Sequence, residues 1–301
     1  MNNKQSSEKN ALRGTIATIM GGVCWGFSGT CGQYLFSNSG ISPLQLTCIR
    51  LLSAGILLTL LALRRNWRNI RELARCPRDL AGIAAYGICG LSLCQFSYMT
   101  SISYSNAATT TVLQTLNLVF IMLITCLRLR RRPNRTEAVS LVLALAGTYI
   151  LATGGDPRHM ALSAKGLFWG LATAAAVTIY TLLPRRLLPR WGQQTVTGGG
   201  MLIGGVFVNL AARSWTFRVR LSPGCWLAVA AIILLGTVLA FSLFMIGIQD
   251  VGPVKSSMLA STEPLSATVF SAVWLHTAFT IPDLIGFACI IATIFLLAKS
   301  G

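Results

Sequence analysis

The sequence predicts an all-α integral membrane protein whose ten transmembrane helices form two inverted five-helix repeats. Three observations support this prediction: an apolar composition, a series of apolar segments of bilayer-spanning length, and a repeat between the two halves of the chain. Of the 301 residues, 53% are hydrophobic and 11% are charged, and the mean hydropathy is +0.65. Soluble domains carry about 25% charged residues, so the composition excludes an ordinary soluble fold.

Apolar segments of about 20 residues, the length that crosses a bilayer as a helix, occur along the whole chain. The predicted spans are residues 15–35, 44–63, 80–99, 106–127, 136–152, 164–183, 195–212, 225–246, 254–275 and 282–298. The fifth span is short, and glycines between residues 198 and 205 dilute the seventh. The chain is therefore expected to cross the membrane ten times.

Basic residues are distributed unevenly between the two sides of these spans. With a cytoplasmic N-terminus, 19 Lys and Arg residues lie inside and 5 outside, although the cluster 213–220 lies on the outer side. Positive residues favour the cytoplasmic side, so both termini are predicted to be cytoplasmic. The net charge of +17 comes from short tracts between apolar segments. It therefore indicates topology and contacts with anionic lipids, and nucleic acid is not an expected partner.

The two halves of the sequence resemble each other. Residues 22–26 and 166–170 both read G-x-x-W-G, and an ungapped shift of 146 aligns Gly90 with Gly236 and Asn117 with Glu263. The predicted repeats are residues 1–155, containing spans one to five, and residues 156–301, containing spans six to ten. Because five spans is an odd number, the halves enter the membrane from opposite sides. Many secondary transporters have this architecture, with a site near the midplane between the halves.

Glu263 is the only acidic residue predicted to lie deep in a span. It lies nine residues after Val254, roughly 14 Å at helical rise, close to the midplane of the bilayer. Such a carboxyl group needs a partner, a cavity or a proton. Glu263 is therefore a candidate proton carrier or counter-ion for a cationic group. In the structural alternative, its carboxylate caps backbone groups near Pro264, which is expected to free the Ala260 carbonyl.

Other polar and aromatic residues in the spans are candidates for lining a substrate cavity. In the fourth span the polar side chains recur at helical spacing, and matching positions of the ninth span repeat the pattern. The cavity candidates are Trp25, Gln95, Tyr98, Thr110, Gln114, Asn117, Trp169, Phe241, Phe244, Ser256 and Glu263. Interhelical hydrogen bonding, aromatic packing and interfacial anchoring remain open as alternatives for these residues.

Small residues recur along two spans and predict close helix packing. Gly22 and Gly26 form a stripe in the first span, as do Gly166 and Gly170 in the sixth, and small residues allow helices to approach closely. Arg50 lies inside the second span, where an arginine is expected to bond backbone carbonyls or extend to a surface. Recognition of a substrate carboxylate is the alternative role for Arg50.

The order of these motifs resembles the drug/metabolite transporter superfamily, in its ten-span EamA type. The resemblance depends on the two G-x-x-W-G segments, on Arg50 in LTCIRLLSAGILL, and on Thr262-Glu263-Pro264-Leu265. The family often has Glu-Pro where residues 117–118 read Asn-Leu, so an acid in both halves is not expected here. The resemblance implies a permease of the inner membrane, often an exporter, with a central cavity lined by both halves.

The function predicted from these features is secondary transport of a small metabolite, amino acid or drug-like molecule by alternating access, in the direction of export. No G-x-x-x-x-G-K-[ST] segment is present to bind a nucleotide. The alternatives are a membrane-embedded enzyme, which would need clustered His, Asp or Glu, and a channel. The odd number of cysteines, nine, and two separated histidines (His159 and His276) do not predict a metal site or disulfide framework. No cofactor is expected.

Overall fold

The computed structural model describes residues 2–156 and 160–300 as helices joined by short connections. The helices are α1 (Asn2–Asn38), α2 (Pro43–Ala74), α3 (Pro77–Ala85), α4 (Leu93–Tyr104), α5 (Ala107–Gln114), α6 (Asn117–Arg128), α7 (Arg135–Thr153), α8 (Ala164–Leu182), α9 (Leu188–Trp191), α10 (Gln193–Ala211), α11 (Pro223–Ile233), α12 (Ala240–Val251), α13 (Pro253–Leu259), α14 (Thr262–Leu275) and α15 (Ile281–Ser300). Arg158 and His159, predicted to lie in an outer loop, fall outside the described residues.

Side chains at the helix starts explain where several helices begin. Ser42 precedes α2 and bonds the backbone N–H of Gln45, whose own side chain bonds back to Ser42. Asn134 and Glu137 form the same reciprocal pair at the start of α7. Such pairs satisfy two of the backbone N–H groups that a helix start leaves without partners.

The predicted membrane spans coincide with helices throughout the described chain. Six segments are long and apolar enough to cross a membrane: Pro43–Arg65, Pro77–Tyr104, Ala107–Arg128, Arg135–Thr153, Ala164–Arg186 and Pro223–Val251. The remaining predicted spans lie in α1, α10, the pair α13–α14 and α15, of which Ile281–Leu297 is a shorter apolar helix. Glycine and small polar residues lower the hydropathy of α1 and α10. The helical membrane fold is confirmed, and the count of ten spans remains a prediction.

Helices of the first half (residues 1–155) pack against helices of the second half (residues 156–301). The main pairs are α1 with α12 and α14, α2 with α10, α4 with α8, and α7 with α15. The α2–α10 contact brings backbones together, because a Cβ placed on Gly205 would lie 2.8 Å from the Leu52 nitrogen. The centre of the molecule is therefore formed by both halves.

Irregularities in the helices recur within two residues of the shift of 146 found in the sequence. A π-helical segment, Tyr86–Ser92, joins α3 to α4, and another, Leu234–Leu239, joins α11 to α12. The helix break between α5 and α6 likewise lies within one residue of the position that this shift assigns to the break between α13 and α14. Both kinds of irregularity turn side chains away from the regular helical ladder near the middle of a span.

Candidate functional site

The break in the ninth predicted span positions Glu263. Helix α13 ends at Leu259, and Glu263 lies in the first turn of α14. The hydroxyl of Thr262 donates to the Leu259 carbonyl at 3.0 Å, and the Glu263 backbone N–H donates to the Ala260 carbonyl, also at 3.0 Å. The expectation that Pro264 frees the Ala260 carbonyl was therefore wrong, because a tighter turn bonds it. The backbone around Pro264 does not depend on the Glu263 carboxylate for this bond.

The Glu263 side chain instead faces the first half of the protein. Gln114, the last residue of α5, lies next to its carboxyl group. Both side chains are half-buried. The start of α14 also favours a negative charge, because a helix N-terminus is the positive end of the helix dipole. Two interrupted helices thus meet at Gln114 and Glu263, one from each half.

Arg50 is a buried basic residue on α2. The residue is 5% exposed, and its Nε donates to the Thr237 hydroxyl at 3.3 Å. It also interacts electrostatically with Tyr98 and Glu263. The expectation that Arg50 bonds backbone carbonyls or extends to a surface was wrong for this contact, since Nε bonds a side chain in the π-helical segment of the second half. Arg50 and Glu263 are opposite charges inside predicted spans, and such charges tend to pair in membranes. This pattern is the sequence feature that could have connected Arg50 with Glu263.

Aromatic rings form a wall beside the polar residues. The Trp25 ring lies 5.3 Å from both the Phe241 and the Phe244 rings, measured between centroids. This wall joins α1 of the first half to α12 of the second. A narrow crevice reaches Phe241 between α2, α10 and α12 and is also lined by Leu58, Gln193, Gln194, Thr197, Ser242 and Met245.

The other cavity candidates are placed differently. Thr110 is buried and shares a 2.9 Å hydrogen bond with Ser101, which is the interhelical bonding considered as its alternative. Trp169 packs on Phe96 at 5.4 Å and lies outside the Trp25 wall. Asn117 starts α6, where its carbonyl accepts from Thr178 at 3.3 Å.

The remaining candidates are buried side chains. Gln95 and Tyr98 lie on α4, and Ser256 lies on α13. The structure therefore brings Glu263 and Gln114 together beside the centre. The Trp25 wall lies on α1 and α12, and Thr110 and Trp169 take part in helix packing.

The predicted glycine stripes pack against the two interrupted helices. A Cβ on Gly26 would lie 2.7 Å from the Glu263 carbonyl oxygen, and one on Gly22 would lie 3.1 Å from the Ala260 carbonyl oxygen. A Cβ on Gly170 would contact Leu113 Cβ at 3.2 Å. Gly166 lies against the Tyr104 carbonyl, and Pro264 is buried. The close approach predicted from these glycines is present in the structure.

The chemistry available at this site is that of polar and charged groups beside aromatic rings. Within residues 2–156 and 160–300, no three His, Cys, Asp or Glu side chains come together as a metal site would require. A carboxyl group, a guanidinium and an amide can together bind a polar solute, and the carboxyl group is the member of this set that can exchange a proton.

Comparison with known proteins gives consistent matches. The model of the EamA-like transporter family matches residues 12–153 and again residues 164–299. An uncharacterized inner membrane transporter, YicL of Salmonella typhimurium, is 33% identical over 287 residues, which is 95% of each chain. The threonine/homoserine exporter RhtA of Escherichia coli is 32% identical over 168 residues, or 54% of each chain. A solved crystal structure superimposes with a TM-score of 0.64 over 94% of this chain and 98% of its own, at 20% identity.

Proposed function

The chain belongs to the EamA-like transporter family of the drug/metabolite transporter superfamily, and on that premise we propose how it works. It is a multi-pass inner membrane protein of a transporter family. We propose that it is a secondary transporter that exports a small metabolite, amino acid or drug-like molecule by alternating access. The name of RhtA supports an amino acid as one substrate class.

The observation that carries this proposal is the meeting of Gln114 and Glu263 across the two halves. Each residue lies at a break in a helix, and breaks near mid-membrane mark the binding sites of many transporters. A carboxyl group beside a neutral amide of the opposite half changes its contacts when it gains a proton, because the protonated acid can also donate a hydrogen bond. Protonation of Glu263 therefore favours a different arrangement of the halves.

The residues around this contact have assigned roles in the proposal. Glu263 couples transport to protons by gaining and losing one. Gln114 is the residue of the first half whose contact with Glu263 changes with that proton. Trp25, Phe241 and Phe244 hold the apolar part of the substrate. Residues 1–155 and 156–301 act as the two inverted repeats, both termini are cytoplasmic, and the arginine tracts at 64–78 and 128–135 contact anionic lipids.

The proposal is tested by reconstituting the purified protein in liposomes and measuring counterflow of radiolabelled metabolites under an imposed pH gradient. Saturable counterflow is expected, and Glu263→Gln should abolish its pH dependence while the folded protein stays abundant, since Gln keeps the shape but cannot titrate. Glu72→Gln is the matched control, because Glu72 is exposed on α2.

Three outcomes would oppose this proposal. Ohmic current without saturation would indicate a channel, and chemical turnover in detergent without compartments would indicate an enzyme. Wild-type rates at every pH for Glu263→Gln would remove the coupling role of Glu263 and leave a carrier driven in another way.

A further inference from the structure

Buried polar groups gather where α1, α2 and α4 meet the π-helical segment Leu234–Leu239. Ser28, Arg50 and Tyr98 are 1%, 5% and 6% exposed. Ser28 Oγ, Arg50 Nη1 and Tyr98 Oη each lack a hydrogen-bond partner within the described part of the chain. Buried polar atoms are satisfied in the great majority of cases, so three unsatisfied atoms in one region require an explanation.

Two glycines place these groups against neighbouring stretches of α1 and the π-helical segment. Gly29 follows Ser28 in α1, and a Cβ on Gly29 would lie 2.5 Å from Tyr98 Oη. Gly236 precedes Thr237, which accepts from Arg50, and a Cβ on Gly236 would collide with the Ser28 side chain. Because Gly29 and Gly236 carry no side chain, the Tyr98 hydroxyl can approach the α1 backbone and the Ser28 hydroxyl can approach the π-helical backbone.

Arg50 Nη1 lacks an acceptor, and an acceptor could also take hydrogen bonds from the two hydroxyls. An arginine N–H can only donate, and the Ser and Tyr hydroxyls can each donate one hydrogen bond. Thr237 accepts from Arg50 Nε and donates to the Ile232 carbonyl at 3.0 Å, and it forms no hydrogen bond with Arg50 Nη1. Removing a guanidinium from water without a bonded acceptor is strongly unfavourable.

Glu263 does not fill this role by direct contact. Among the described residues, ion pairs join Arg13 to Asp250, Arg131 to Glu137 and Arg190 to Asp79, and Arg50 with Glu263 is not one of them. Glu263 is directed to Gln114 while it acts on Arg50 through space. The guanidinium therefore has a distant negative neighbour and an unused N–H.

We infer that Arg50 Nη1, with the Tyr98 and Ser28 hydroxyls, binds the carboxylate of a small organic acid, so that the transported molecule carries a free carboxylate. This inference rests on the transport function proposed above. A carboxylate offers planar acceptor oxygens that match an arginine fork. Its single charge suits one arginine within electrostatic range of an acid, whereas a phosphate dianion would meet stronger repulsion from Glu263.

The three donor atoms are enclosed by helices of both halves. Arg50 and Tyr98 belong to the first half, and Thr237, which holds the guanidinium, belongs to the second. A separation of the halves during transport therefore opens the carboxylate site, and their return closes it over the bound acid.

The test measures thermal unfolding of the detergent-solubilised protein with probe pairs that differ only at the carboxylate. The probes are the common amino acids and C2–C6 monocarboxylic acids, each beside its primary amide, with glycerol 3-phosphate as the phosphate arm. A ligand that binds the folded state raises the unfolding temperature. At least one acid should stabilise the wild type, and its amide should require at least about 100-fold higher concentration, because it leaves a buried donor set without its anion.

Variants connect this discrimination to the named atoms. Tyr98→Phe removes a hydroxyl without a protein partner, so the unliganded protein should be equally or more stable, while affinity for the acid falls about tenfold. Arg50→Gln should abolish the acid–amide difference, and Arg50→Lys, which keeps the buried charge, should retain part of it. Arg220→Gln, at an exposed loop residue, is the charge-matched control and should behave as the wild type.

Several results would overturn the carboxylate site: amides that stabilise as well as acids, stabilisation by glycerol 3-phosphate alone, stabilisation by no acid, or unchanged discrimination in Tyr98→Phe and Arg50→Lys together. Counterflow with the same probes separates this inference from the proposed function. No counterflow of any probe opposes transport itself, whereas counterflow that ignores the acid–amide change opposes only the carboxylate site.

Discussion

The fourth and ninth predicted spans are interrupted in the same register, yet they place different chemistry at the centre. In the fourth span, α6 begins at Asn117 followed by Leu118, and in the ninth, Glu263 is followed by Pro264. Each break is closed by short turns, from Leu116 N to the Leu113 carbonyl at 3.1 Å and from Glu263 N to the Ala260 carbonyl at 3.0 Å. The backbone geometry is therefore shared, and the charge is present on one side only.

The contacts of the two breaks differ as well. Gly26 brings the α1 backbone against the backbone of α14, whereas Gly170 brings α8 against the Leu113 side chain. A side chain can move to a new rotamer at lower cost than a helix backbone can shift. The helices therefore break at similar positions in the two halves, while a few residues decide whether backbone or side chain packs against each break and which side carries the acid.

The largest effect is expected for bulk introduced beside the ninth span. Gly26→Leu should abolish folded protein, because its Cβ would lie 2.7 Å from backbone atoms of Glu263 and Ala267. Gly170→Leu should lower the amount of folded protein only partly, since Leu113 can rearrange. Size-exclusion chromatography of fluorescent fusions measures both, and Gly40→Leu, where nothing lies within 4 Å, is the control. Equal losses for the two variants would contradict the proposed difference in rigidity.

A smaller effect is expected when the polar contact between the breaks is removed. Gln114→Leu leaves the Glu263 carboxyl group without its amide partner, which should cost about 1–3 kcal/mol in unfolding free energy. Combining it with Glu263→Leu should recover much of this loss, because neither polar group is then left alone. Gln249→Leu, at an exposed position, controls for added apolar surface. Simple additivity of the two changes, measured by chemical unfolding, would show that the residues do not interact.

Pro264→Ala should change stability by less than about 1 kcal/mol. The Ala260 carbonyl already accepts a hydrogen bond from Glu263 N. The backbone N–H that alanine would restore at position 264 therefore adds little hydrogen bonding. Leu118→Pro, at the matching position of the fourth span, should cost more, because Leu118 N donates to the Thr115 carbonyl at 3.2 Å. Thermal unfolding of both variants would sharpen the comparison, and a larger loss for Pro264→Ala would reverse it.

The smallest perturbation is cysteine labelling, which tests whether the fourth and ninth spans cross the membrane in opposite directions. Single cysteines at Arg131 and His276, which follow the fourth and ninth spans, should be labelled from the cytoplasm and from outside, respectively. A cysteine at Ser39 should also be labelled from outside, and transport should be unchanged. The parent variant needs Cys89 replaced, because that thiol is exposed. Labelling of Arg131 and His276 positions from the same side would exclude inverted repeats.

The sequence by itself determined the class of fold and the location of the central acid. Apolar segments, which must satisfy their backbone groups internally in lipid, predicted helices, and helices cover all ten predicted spans in the described chain. The shift of 146 residues was read from a few identities such as Gly90 with Gly236, and the π-helical segments and helix breaks of the structure lie within two residues of that shift. These features are local, because hydropathy and helix-breaking residues act within a few turns of the chain.

Only the tertiary structure decided which polar groups meet. Spacing on one helix placed Thr110 and Gln114 on a common face, yet Thr110 bonds Ser101 while Gln114 reaches Glu263. The partner of Arg50, Thr237, lies 187 residues away in sequence. Such contacts depend on the rotation and depth of helices from different halves, which packing of the whole molecule fixes and which periodicity along a single span does not specify.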